Sequence, residues 1–201
     1  MKKEFLMIAF LLSCFYLKGQ VFYGVKSGIN IATTKDIIAF PKTRLGFHSG
    51  FFVSIPLKNK FFLQPELLYS SKGYSYNDLS DGKTISMRLN YLTLPLLAGY
   101  QINKQVSVLS GIEAGYLLKA VNYFNQQKND VTNDFPQRFD LGLNVGVLFA
   151  ITKSIGVDMR YSYGFKNLYQ ADDFGNPASE KKGANRVFQV GVNYRFKKIN
   201  C

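Results

Sequence analysis

The 201-residue chain carries 25 Lys and Arg against 13 Asp and Glu, a net charge of +12. That balance invites a nucleic-acid reading, but the basic residues are spread along the chain with no dense cluster, which sets nucleic acid aside. One His and two Cys supply no zinc-type ligand cluster, and one of those cysteines lies in the leader, so no intramolecular disulfide is expected in the mature chain.

The first twenty residues, MKKEFLMIAFLLSCFYLKGQ, read as an export leader. Lys2 and Lys3 form a basic n-region, and Phe5 to Leu17 form an apolar core of signal-peptide length, short for a bilayer-spanning helix. Cleavage is expected after Gly19, although Leu17, third before the cut, is larger than the small residue favoured there. Residues 1–19 are thus read as a signal peptide and 20–201 as one domain. A lipoprotein box LLSC ending at Cys14 is the rival reading, and Leu12 and the following FYL match it poorly. Loss of Lys2, Lys3, Glu4 and Lys18 lowers the charge from +12 to +10, and Cys201 is assigned no role.

Beyond the leader no segment approaches the roughly 20 continuous apolar residues of a membrane helix, so any membrane crossing must use strands. In 21–32, Val21, Tyr23, Val25, Ser27, Ile29 and Ile31 share one face, and Phe22, Gly24, Lys26, Gly28 and Asn30 the other. In 44–55, Leu45, Phe47, Phe51, Val53 and Ile55 oppose Gly46, His48, Gly50 and Ser54. Three middle runs, 61–72, 86–100 and 106–119, alternate less cleanly; Gln64, Glu66, Gly111, Glu113 and Gly115 are placed inward, and the facing of 91–97 stays open. Clean alternation resumes in 138–150, 155–166 and 186–196, where Asp140, Asp158, Arg160 and Arg195 fall on the glycine-bearing face.

Connectors between these eight runs alternate in length. PLKNK (56–60), INKQ (102–105) and ITKS (151–154) are tight turns carrying Lys58, Lys60, Lys104 and Lys153 with no acid, while long polar stretches lie between them. Short periplasmic turns and long outer loops are the pattern of an outer-membrane barrel. A soluble periplasmic β-barrel would instead bury its apolar face. The coincidence of charges with glycines suits a narrow lumen, and Tyr23, Tyr69, Tyr100, Tyr116, Tyr163 and Tyr194 fall near strand ends, as interfacial girdles do. The expected fold is an all-β, eight-stranded, antiparallel, up-and-down transmembrane barrel with a side-chain-filled lumen, too narrow for a porin channel.

The elements GVKSGINIA, GFHSGFFVSIPL, FFLQPELLYSSKG, LNYLTLPLLAGYQI, GIEAGYLL, FDLGLNVGV and DMRYSYGFKNL, in this order, resemble the PorT-like outer-membrane β-barrel family of Bacteroidota, across essentially the whole mature chain. QPELLYS followed by NYLTLPLL is the distinctive pairing. The resemblance implies an outer-membrane barrel, placed among lipids after insertion by a barrel-assembly machinery. Most members have no assigned activity, and the founding member serves a secretion system. One departure is KKINC after Phe196, where such barrels normally end.

Chemistry is expected to be sparse. His48, Ser54, Glu66, Glu113 and Asp158 are all inward, whereas a lipid-processing hydrolase must show its nucleophile at the lipid face, and no GxSxG elbow is present. No catalytic residue, cofactor or metal is therefore assigned; DFGNPASE lacks the spacing of a calcium loop. The inward set Lys26, His48, Gln64, Glu66, Glu113, Asp140, Asp158, Arg160 and Arg195 is expected to form a paired lumen network, because an unpaired buried charge costs several kcal/mol. Asp158 with Arg160 is the first pair expected, then Glu66 or Glu113 with Lys26 or Arg195. Surface binding of a protein or glycan is assigned to the outer loops, through Tyr123, Phe124 and Phe135 in 120–137 and Tyr169 and Phe174 in the last loop, unless these aromatics pack down on the rim. An accessory role in protein export, through the periplasmic lysines, is the alternative.

Overall fold

The computed structural model describes residues 21–35, 41–77, 83–124, 127–135, 137–165 and 184–196. The leader, most of the last outer loop with Tyr169 and Phe174, and the DFGNPASE segment lie outside them. Within them the elements are β1 (Phe22–Lys35), β2 (Lys42–Pro56), β3 (Phe61–Asn77), β4 (Thr84–Gln101), β5 (Val106–Phe124), β6 (Gln127–Asp130), a 3₁₀ turn (Thr132–Asp134), β7 (Phe139–Ala150), β8 (Ile155–Gly164) and β9 (Ala184–Arg195). No described helix is long and apolar enough to cross a membrane.

Eight long strands pair antiparallel with their neighbours in sequence, and β1 pairs with β9, from Gly24 opposite Arg195 to Lys35 opposite Ala184. That pairing closes the sheet into an up-and-down barrel, so no long strand is left with an open edge. The short β6 adds to the outer end of β5 only.

All three turns predicted as tight are tight. Asn103 Oδ1 accepts the backbone N–H groups of Gln105 and Val106, and Thr152 Oγ1 those of Ser154 and Ile155, so side chains satisfy the turn donors. In the β2–β3 turn Asn59 (φ 56) and Lys60 (φ 69) are both left-handed, the geometry of a type I′ hairpin, with Phe61 N–H donating to Lys58 C=O.

Alternation behaves as the pattern demands. Leu94, Ile112, Val145 and Val192 stand on the outer face between 54 and 56% exposed, a degree of apolar display that suits lipid. Aromatics flank that band. Tyr23, Phe61, Tyr100, Tyr194 and Phe196 crowd the turn end, with Phe61 and Tyr100 rings 5.0 Å apart; Phe47, Tyr69, Tyr116, Phe139 and Tyr163 mark the other, with Phe47 and Tyr69 5.5 Å apart.

Two details depart from the sequence expectation. The middle strands reach further outward than their alternation predicts, to Asn77, back to Thr84, and to Phe124, because the polar flanks of the presumed loops pair with one another as hairpins. And a bulge in β5 at Leu118, where Asn90 faces Lys119 but Tyr91 faces Leu117, puts Leu118 and Lys119 both outside and switches which residues point inward beyond it. The open facing of 91–97 resolves with Tyr91, Thr93, Pro95 and Leu97 inward and Leu92, Leu94 and Leu96 outward.

Candidate functional site

The lumen is filled in layers. At the turn end apolar Phe52, Leu97 and Leu109 are buried beside polar Ser54, Ser107 and Asn193, with the Phe52 ring lying against the bare Cα of Gly24. Above them sits a charged layer. Arg160 donates two hydrogen bonds to Glu66, at 2.8 and 2.7 Å, and its Nε lies 2.7 Å from Asp158 Oδ2; Lys26 donates to Asp158 at 2.9 Å and lies 3.6 Å from Glu66. Gln64 donates to the same carboxylate of Glu66 at 2.7 Å. In the ring β3 and β8 stand four strands apart either way, so the Arg160 fork spans the full width of the lumen. Two positive and two negative side chains, all essentially without solvent, balance one another.

Beside this layer, Asn30 donates to Phe47 C=O, Ser70 Oγ and Ser71 C=O, while its Oδ1 lies 2.8 Å from His48 Nδ1 and accepts from Gln189. His48 is fully buried, and its Nδ1 pairs with the Asn30 amide. Its Nε2 and Asp158 Oδ1 both converge on the Cα of Gly191, where only glycine fits.

Further out, Glu113 takes Lys72 at 2.6 Å and Asn144 at 3.0 Å. Glu113 was expected to find Lys26 or Arg195; Lys72 takes it because the β3 register puts residue 72 inward in step with 64 and 66. That signal was readable in the sequence, since Lys72 closes the 61–72 run on the same parity. Asp140 accepts from Asn185 at 2.9 Å. Arg195 has no carboxylate partner among the described residues: it lies at the turn-side mouth with its guanidinium 4.8 Å from the Phe22 ring.

At the outer end an apolar cluster of Tyr74, Met87, Leu89, Tyr91, Leu117 and Ala120 caps these charges. Phe135, expected on the loop surface, is 1% exposed and belongs to this cluster. Tyr123 and Phe124 do reach the outer lip, where Arg88 stacks 4.8 Å from the Tyr123 ring and Lys83 Nζ lies 5.8 Å from that of Phe124. Arg186 stacks 3.5 Å from Tyr163 on the opposite wall. The exposed Lys119–Asp130 pair, 3.0 Å, ties β5 to β6, and hydrogen bonds from Thr132 and from Lys119 hold the Asp130 carboxyl at about 2. Among the described residues no three His, Cys, Asp or Glu side chains are placed to hold a metal ion.

With this geometry the comparisons agree. Residues 18–170 match the family described as outer membrane protein beta-barrel domain. The chain belongs to that family. It is an outer-membrane protein, and its barrel is similar to solved barrels of the same compartment. Neisserial surface protein A of Neisseria superposes with a TM-score of 0.57 at 13% identity, over 87% of this chain and 97% of that one. Ail, the attachment invasion locus protein of Yersinia pestis, solved in complex with the heparin analogue sucrose octasulfate, gives 0.51 at 17%, over 88% and 99%. At these identities the likeness is one of fold. No curated protein matches the sequence.

Proposed function

We propose that this barrel is a non-catalytic surface protein whose outer lip binds an anionic glycan. The observation that carries the reading is the set of cations stacked on aromatics along the lip, Arg88 on Tyr123 and Lys83 on Phe124, above a lumen crossed by paired side chains. Stacked arginine and tyrosine offer both charge and a flat face, the chemistry that suits sulfated or phosphorylated sugars. The sulfated ligand in the Ail complex supports the same reading for a related architecture. Tyr169 and Phe174 of the last loop, assigned to binding from the sequence, lie outside the described residues.

The test uses the folded chain in phosphatidylcholine vesicles over immobilised heparin, with salt elution as readout. The Arg88→Ser, Lys83→Ser double variant is expected to elute at clearly lower salt, since each lost contact to an anion lowers the salt dependence. Equal retention of variant and wild type, or no retention of either, overturns the reading.

A second reading, accessory service to a protein-export machinery, draws on the PorT-like sequence pairing and on turns that carry Lys58, Lys60, Lys104 and Lys153 without an acid. Changing these four to Ser would impair export and spare glycan binding. Both readings require delivery by the signal peptide 1–19 and insertion by the barrel-assembly machinery.

A further inference from the structure

The turn-side mouth of the barrel holds a vestibule of about 360 Å³ lined by Phe22, Ser54, Lys60, Phe62, Ser107 and Arg195 among others. A second lobe adjoins it through Arg195 and Leu148, and Asn193 and Lys153 line that lobe. Phe52 lines the second lobe, and Leu97 and Leu109 are buried in the lumen.

Three independent features converge there. Arg195 is half-buried on the Phe22 ring with no carboxylate among the described residues to neutralise it, although every other inward charge of the described lumen has found a polar partner. Asn193, 6% exposed, leaves Oδ1 without a hydrogen-bond partner beside it. Its amide oxygen and nitrogen can exchange places by a flip, so it can present N–H groups to an acceptor. Lys60 occupies the second central position of a type I′ turn at φ 69, a position that glycine fills at no steric expense. A lysine held in a disfavoured backbone conformation at the lip of a basic cavity points to a use for its side chain.

We infer that this vestibule binds a small organic anion, a carboxylate or phosphate head on a short apolar body, entering from the periplasm. Arg195 supplies the forked donor and Lys60 the second charge. Ser54, Ser107 and Asn193 supply neutral donors, and Phe22, Phe62 and Leu148 receive the apolar part. No acidic side chain lines either lobe, so nothing competes with the ligand for these cations.

The test titrates the full folded chain, in zwitterionic micelles, with N-acetyl-phenylalanine, phenyl phosphate and the uncharged N-acetyl-phenylalaninamide, following the NMR signals of the Asn193 side-chain amide and the Phe22 and Lys60 backbone amides. Both anions are expected to shift these signals saturably, and the uncharged amide at least tenfold more weakly. Tighter binding of the carboxylate identifies a peptide end as the natural source, tighter binding of the phosphate an ester. Arg195→Gln weakens the anions at least tenfold. Lys60→Gly weakens them as well while its urea unfolding midpoint holds or rises, which separates loss of the site from loss of the fold. Equal binding of the uncharged probe, shifts confined to residues outside the vestibule, or unchanged affinity in Lys60→Gly overturns the inference.

Discussion

The middle and the outer end of the lumen solve one packing problem in opposite ways. In the middle the ring is complete, and Arg160 on β8 meets Glu66 on β3 from the facing wall, so charge can be matched across the barrel. At the outer end, among the described residues, β7 spans from Phe139 and β8 to Gly164, while β5 runs on to Phe124. At this level the long strands present Tyr74, Met87, Leu89 and Leu117, and Phe135 packs among them from the loop. Complementary charge requires two fixed walls; apolar burial accepts any surface that excludes water.

The sharpest way to break this contrast is Arg160→Met. It strands Glu66 and Asp158 against Lys26 alone, and breaking a buried pair of this kind costs about 3–5 kcal/mol. Urea unfolding in phosphatidylcholine vesicles should show that loss, and the Arg160→Met, Glu66→Met double variant should lose less than the single, because Lys26 and Asp158 keep each other. A double variant as unstable as the single would mean that packing, not pairing, governs the middle layer.

Phe135→Ala should cost about 3 kcal/mol, the scale of a large-to-small change in a core. The damage belongs to the outer end: amide exchange should quicken in β6 and in residues 120–124, with the strands around Glu66 and Arg160 unchanged. Spread of that exchange into the charged layer would join the two regions into one cooperative unit.

Gly191→Ala places a Cβ 2.9 Å from His48 Nε2, closer than real Cβ contacts come, and 3.0 Å from Asp158 Oδ1, tighter than most. Overpacking of this order costs about 1–3 kcal/mol, and the thermal unfolding shift on unboiled SDS gels would measure it. Gly115→Ala meets nothing closer than 3.5 Å and should be near neutral.

The smallest effect is at the exposed Lys119–Asp130 tie. Folding lowers the Asp130 carboxyl from 3.8 to about 2, so its contribution to the β5–β6 hairpin is complete above about pH 4 and fades as the pH falls through about 2. A carboxylate titration by NMR that returned an ordinary midpoint would show that Thr132 and Lys119 do not hold it in solution.

Much of the middle layer was legible before the fold was known. Lys26, His48, Asp158 and Arg160 share the parity of the glycines on their strands, Gln64 and Glu66 share one parity on β3, and parity is local because side chains alternate every second residue. The outer end was harder to read. Residues 120–124 look like loop, Leu118 breaks the alternation with a bulge, and Phe135 among polar neighbours has no periodicity to announce its burial. In the partner choices the same limit appears: Asp158 and Arg160, two apart on one strand, could be paired on sight, whereas Lys72 with Glu113 could not.

The sequence by itself therefore determined the strands, the inward and outward faces outside 91–97 and the β5 bulge, the tight turns and the membrane compartment, since each rests on spacing within a short stretch of chain. Only the tertiary structure decided which charge meets which, that Arg195 has no carboxylate partner among the described residues at the turn-side mouth, and that an aromatic from a loop joins the outer apolar cluster. Those outcomes depend on how far each strand is staggered against the next around a closed ring, and that stagger is set by all eight pairings at once.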